Sequence, residues 1–556
     1  MSVFIGYPSF MAYQMMKGKK DNNEGFPTIP GTIARYSASG LTNEQMAANP
    51  VWVDKTGNGH DLQMKNFAWR GMSGVGGYET NFNLWANNVP SISDISMSKT
   101  TTSVSVSVGN SAYNNKLIYI HKNNWDVNKN HWLKVTSTYE DGDLAFIFYK
   151  DSNTKKIGLP ANGYVNILAY PEFKGSYMYI STISNKQGSF TIEQLPLYPG
   201  ALVFDGVDDY GVCDNFPILT KEKGYTVVAL RQWITRGKGA LGLVSNVKNW
   251  LNNGAFLLEY RNIQAEHLNK PISFGAIGSE MDLPHILTCQ TSKSYNGVSI
   301  TTGNFEGTDV LHVGKLAPTN VGTCINAAIW ELVFLDHDAT EEELTKIKDY
   351  FVKTYPWLFP DQAWTVVGKT NEDEDRATIA NITGNGNDLI LSNFGFIEGS
   401  GYNEEGEYAG YLVTDGVDDK AVSKQFKFGE NFTVILDFKF PVKKISYCGF
   451  DLSSKVRIQN LQGSGVYVVL KGNKTLIPSN VVRAVTSEGK VYDENWNEYN
   501  IVPGNISSNY TMVNLGFDGS NQFAESATKL AGIYSSTLSK DDCIKAYNYL
   551  QTLKAK

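Results

Sequence analysis

The sequence predicts an all-β protein made of two copies of one sandwich, the first interrupted by a smaller inserted sandwich. Two repeated motifs carry the duplication. Thr56-Gly57-Asn58-Gly59-His60-Asp61-Leu62 returns as Thr383-Gly384-Asn385-Gly386-Asn387-Asp388-Leu389, and Asp205-Gly206-Val207-Asp208-Asp209 returns as Asp415-Gly416-Val417-Asp418-Asp419. The motifs lie 149 residues apart in the first copy and 32 in the second. The excess of 117 residues is enough for a domain of its own. The third observation is a recurrence of short apolar runs bounded by turn residues, which reads as strands.

The elements follow in chain order. Residues 1–30 form an N-terminal arm with Phe4, Ile5, Tyr7, Phe10 and Tyr13. Its lysines, Lys17, Lys19 and Lys20, come after the apolar run rather than before it, so no secretory signal is read. The first sandwich spans 31–78 with 198–357. Tyr225–Leu230, Ala255–Tyr260 and Val298–Thr301 are its strands, and Phe432–Phe438 matches the first of these in the second copy. The guest, 79–197, has strand candidates at Leu117–Ile120, Trp132–Ser137, Ala145–Tyr149, Tyr164–Ala169, Tyr177–Ile183 and Phe190–Leu195. Asp141-Gly142 and Asn162-Gly163 are read as hairpin turns between them. Each copy closes on one helix. Thr340 with Glu343, and Ser539 with Asp542, have the spacing at which each side chain satisfies an orphan amide of the first turn. The second sandwich spans 358–556.

Composition excludes several classes. The formal charge of −7 argues against nucleic acid, which needs a basic stripe to displace counterions. A membrane-spanning helix needs about 20 apolar residues in a row, and none is present. The five cysteines, Cys213, Cys289, Cys324, Cys448 and Cys543, are scattered without a paired spacing and are read as buried apolar residues.

The run Trp52–Leu62, the segment Leu202–Tyr210 and the strand-plus-helix ending, with Asn381–Leu389, Leu412–Asp419 and the helix after Ser539 in the second copy, resemble laminin-G-like, concanavalin A-like jelly rolls. That resemblance implies two curved antiparallel sheets per copy. The guest resembles carbohydrate-binding jelly rolls in pattern. The tandem arrangement resembles surface proteins, head or tail fibre components, of tailed phages of gut Bacteroidales. It implies a location on the virion surface, other virion proteins as partners and a homo-oligomer.

Two kinds of site are legible. Asp205, Asp208 and Asp209, and their counterparts Asp415, Asp418 and Asp419, place three carboxylates within five residues, a set that a calcium ion would take. The competing reading is a tight Asp-Gly turn kept solvated by its acids. The T-G-N-G loops could add oxygens, although Asp54 becomes Asn381 in the second copy and His60 becomes Asn387. In the guest, Trp125, Trp132 and Tyr139 are candidates for stacking on sugar rings, with Trp125 set in the polar run Lys122–Asp126. No catalytic residue is expected. The paired carboxylates of a glycosidase and the common hydrolase and nucleotide motifs are absent from the sequence. The expected function is therefore non-enzymatic adhesion to bacterial-surface or mucosal glycans. The alternatives are a purely structural collar or fibre base and, more remotely, a polysaccharide-degrading enzyme.

Overall fold

The computed structural model describes residues 25–79, 81–88, 95–109, 119–122, 132–150, 153–166, 177–182, 186–235, 242–249, 253–260, 264–266, 283–291, 307–316, 324–404, 408–440, 446–453, 455–460, 466–505, 510–518 and 523–555. Every strand pairing among them is antiparallel, and the class is all-β. The chain divides into two compact units. One holds Met1–Gly76 with Gly200–Thr354, and the other Gly77–Pro199 with Tyr355–Lys556.

In the first unit one sheet runs His285–Gln290, Thr226–Thr235, Asn326–Leu335, Leu202–Asp205, Gly74–Val75, with Thr32–Ser37 also on Asn326–Leu335. The facing sheet runs Val51–Trp52, Leu62–Lys65, Tyr210–Cys213, Leu311–Val313, Val244–Asn249, Asn253–Tyr260, Gln264–Glu266. In the second unit the order recurs strand for strand. Val481–Thr486, Thr433–Lys439, Glu525–Tyr534, Tyr411–Asp415 and Gly401–Asn403 form one sheet, joined by Gln362–Thr365 and two further strands. Thr378–Ile379, Leu389–Ser392, Lys420–Val422, Val513–Leu515, Ser446–Leu452, Val456–Asn460, Val466–Leu470 and Asn473–Ile477 form the other. Even an irregularity repeats. The register slips between Leu230 and Arg231 in one copy and between Asp437 and Phe438 in the other. A bulge adds one residue to one strand and re-aims the side chains beyond it.

The closing helices are Glu341–Thr354 and Lys540–Gln551. The Thr340 hydroxyl accepts from the Glu343 N–H at 3.2 Å, and the Glu343 carboxylate accepts from the Thr340 N–H at 2.8 Å. Ser539 accepts from the Asp542 N–H at 3.2 Å. Both helices lie over a buried arginine–carboxylate pair. In the first unit Arg35 meets Glu331 at 3.3 Å and donates to the Tyr350 hydroxyl at 2.6 Å. In the second, Arg483 binds Asp437, which also accepts from Tyr411 at 2.9 Å and from Gln551 at 2.8 Å. These partners hold the Asp437 carboxyl well below the usual range against the opposing effect of burial. A third helix, Asn43–Ala48, with a capping box from Thr42 and Gln45, is not expected from the sequence pattern. Its six residues are too few to show a period.

Among the described residues, the guest forms two five-stranded sheets around Phe82, Trp85, Leu133, Phe146, Ile180 and Phe190. Its two expected hairpin turns are corrected. Asn162 and Gly163 lie inside the strand Asn162–Asn166. Asp141-Gly142 crosses from Trp132–Ser137 in one sheet to Leu144–Lys150 in the other, and Gly142 supplies the positive φ of 85°. Val298–Thr301 and residues 1–24 lie outside the described residues. The guest belongs to the same compact unit as the second sandwich. Trp132, one position from the core residue Leu133, points away from the guest core and packs edge-on to Tyr547 at 5.2 Å, whose other edge contact is Trp496 at 5.7 Å.

Candidate functional site

Each acidic turn is built by the same three segments. The strand Leu202–Asp205 runs into Gly206, whose φ of 83° and whose missing Cβ, which would stand 2.9 Å from the Asn326 Cβ, admit only glycine. Asp205 Oδ1 accepts from the Val207 N–H at 2.8 Å, an Asx turn. Asp209 folds back, its Oδ2 accepting from the Asp205 N–H at 3.1 Å and its Oδ1 from the Ser73 hydroxyl at 3.0 Å. Asn66, itself left-handed at φ 67°, donates to the Asp208 carbonyl at 3.1 Å. In the second copy Asp415, Asp419 and Asn393 repeat these bonds at 2.8, 2.9 and 3.0 Å.

The loop 66–73 and its counterpart 393–400 thus cradle the turn. The signal lay in the sequence: Asn66-Phe67 and Ser73-Gly74 return as Asn393-Phe394 and Ser400-Gly401, at the 327-residue offset of the T-G-N-G motif. The T-G-N-G loop itself does other work, which corrects its expected part in a cation site. Asp54 accepts from the Arg35 and Thr56 N–H groups, both at 3.0 Å, and Asn381 from the Thr383 N–H at 3.0 Å. An amide oxygen serves there as well as a carboxylate, which explains the exchange of Asp for Asn.

Within each triad the carboxylate oxygens lie within 4.8 Å of one another. Burial, reinforced by the Asp205 charge, pushes the Asp209 carboxyl up to about 7; burial likewise raises Asp419 to about 6. Charge this crowded is relieved by a proton on the buried acid or by a cation between the outer two. The donor set fits calcium in type, with Asp205 and Asp208 as outward ligands, while both oxygens of Asp209 already accept hydrogen bonds.

The aromatic candidates fare differently. Trp132 is 7% exposed against Tyr547, and Tyr139 is 4% exposed in the guest core with its hydroxyl on the Lys186 carbonyl. Neither face is open to a sugar, so both are corrected to packing residues. Trp125 lies outside the described residues. The five cysteines are buried and none is joined in a disulfide. Among the described residues, no helix is long and apolar enough to cross a membrane.

No family model matches the chain, and no curated protein does. Among solved structures, a mutant of Trypanosoma rangeli sialidase displaying trans-sialidase activity is similar at 15% identity over 28% of each chain, with a TM-score of 0.21. Trypanosoma rangeli sialidase in complex with sialic acid is similar at 11% identity over 83% of this chain and 84% of that one, with a TM-score of 0.26. The binding domain of botulinum neurotoxin serotype D is similar at 9% identity over 72% and 97%, with a TM-score of 0.25. Similarity this low says nothing about activity.

Proposed function

We propose that the chain is a non-enzymatic virion surface protein, of head or tail fibre type, whose sandwiches adhere to glycans of the host surface or of mucus. The observation that supports this reading is a duplicated surface. Val207 and Val417 crown the two acidic turns at 64% and 70% exposure, a position where packing requires no apolar residue. A repeated shallow surface suits weak contacts summed over many copies, because linked sites act on a repeating ligand at millimolar effective concentration. Bead-displayed protein on a glycan array tests it. Retention on bacterial capsule or mucin glycans is expected, lowered by Trp125→Ala, with the isolated chain binding no better than sub-millimolar. Release of reducing sugar would instead establish an enzyme, and stable particles with no glycan retention a structural collar.

Calcium at the acidic turns is part of the proposal, and pH separates it from a simple turn. A carboxyl raised in the folded state binds its proton more tightly there than in the unfolded chain. Without metal, stability therefore falls as pH rises from the unfolded value near 4 towards the folded values of about 7 and 6, and is flat above them. Calcium would hold the carboxylates ionised, raise the melting temperature at neutral pH and remove that slope. Melts with calcium and with chelator at pH 5 and pH 8, the wild type beside Asp208→Asn and Asp418→Asn, read it out. Superimposable melts with and without chelator at pH 8 return both motifs to turns.

A further inference from the structure

We propose that the outward face of the second sandwich's sheet from Thr378–Ile379 to Asn473–Ile477 binds an acidic polysaccharide; this rests on the glycan-adhesion reading and names the ligand class of one face. Val422, Asn514, Asp451, Arg457, Val469 and Lys474 are successive cross-strand neighbours on five hydrogen-bonded pairs of strands. Their sequence neighbours Val513, Leu515, Phe450, Leu452, Val456 and Ile458 belong to the core, so by alternation the row faces away from it.

The row is polar at its centre and cationic at its margin. Asp451 is neutralised by Arg457 at 3.4 Å and accepts from the Asn514 amide at 3.1 Å. Lys474, exposed, lies 5.3 Å from the Tyr467 ring centre, and Lys420, one strand beyond Asn514, lies 5.7 Å from that of Phe517. On a chain of net charge −7 this face carries an excess of positive groups. Asn514 is a buried polar member of the row. It is 4% exposed, and its amide oxygen is buried without a hydrogen-bond partner. An unmade bond of this kind costs about 1–3 kcal/mol unless another donor arrives.

The first sandwich keeps the same position polar and unsatisfied with different chemistry. Val212 stands where Val422 does, Ser245 where Asp451 does and His312 where Asn514 does. Both His312 ring nitrogens are buried without partners. The duplication therefore retained a buried polar position here, and the two copies rewrote it. In the second copy a sugar ring stacks on Tyr467, and the guanidinium of Arg457 with the Lys474 ammonium takes the carboxylates.

Full-length protein displayed on beads and challenged with polygalacturonate, and separately with neutral dextran, tests the assignment. Retention of polygalacturonate, weakened by added salt and absent for dextran, is expected. Arg457→Ala and Lys474→Ala should each lower it about tenfold, the loss of one charge-assisted bond. Lys474 is exposed, so its replacement leaves folding intact. Wild-type retention by both variants, equal retention of dextran, or none of polygalacturonate overturns the inference. In those cases capture of other glycans on the array would leave the adhesion reading standing, whereas capture of none would remove both.

Discussion

Glu259→Gln is expected to destabilise the first sandwich by about 3–5 kcal/mol, because it strands a buried guanidinium. Arg231 and Glu259 are both fully buried between the sheets. The arginine Nε–H reaches the two carboxylate oxygens at 3.0 and 2.8 Å, and the Trp233 indole N–H donates to the same carboxylate at 2.9 Å. The shared bulge puts Arg231 at the position that Phe438 holds in the second copy, and Trp233 at that of Phe440; there the two rings pack edge to face at 5.0 Å. The fold therefore accepts an apolar solution at this place. Arg231→Phe combined with Glu259→Leu should recover most of the loss that Glu259→Gln causes, since a buried pair replaced whole costs little. Hydrogen exchange across Thr226–Thr235 measures it. A loss under about 1 kcal/mol for Glu259→Gln would mean that water reaches the pair.

Excising residues 79–197 and joining the ends should leave the first sandwich folded while weakening the second. Gly76 donates to the Ala201 carbonyl at 2.8 Å, so the ends to be joined already lie across a hydrogen bond. Among the described residues, none from the guest belongs to the first sandwich's core. The loss falls elsewhere, because Tyr547 would forfeit its contact with Trp132. Trp132→Ala alone should cost the second unit about 3 kcal/mol. Exchange protection in Asn326–Leu335 and in the helix Lys540–Gln551 reports the two outcomes separately. Collapse of the first sandwich would sink the nested arrangement, and an unaltered helix would deny the guest its role there.

The duplication was legible because both motifs sit in turns whose geometry restricts the residue, as at Gly206 and Gly416, so the words survive while the strands around them drift. The closing helices were legible from their caps. What depends on tertiary neighbours is not legible in the sequence. Trp132 alternates out of the guest core and looks available until Tyr547 covers it. Asn162-Gly163 has turn chemistry, yet strand pairing with Val135 and Thr136 overrides it. The row through Asn514, Asp451 and Arg457 was invisible, because its members are scattered along the chain and only the register aligns them.

Among the described strands, Thr32–Ser37 pairs with Asn326–Leu335. During synthesis at about 5–20 residues per second, it waits on the order of 15–60 s for that partner to emerge. The guest is contiguous and can fold within that interval, holding together the two ends that the host must later join and shortening the loop its strands must close. Gln362–Thr365 awaits Glu525–Tyr534 for roughly half as long. The split copy is thus the one whose exposed edge persists longest on the ribosome. Slowed translation or a missing chaperone should trap it as aggregate before its uninterrupted twin.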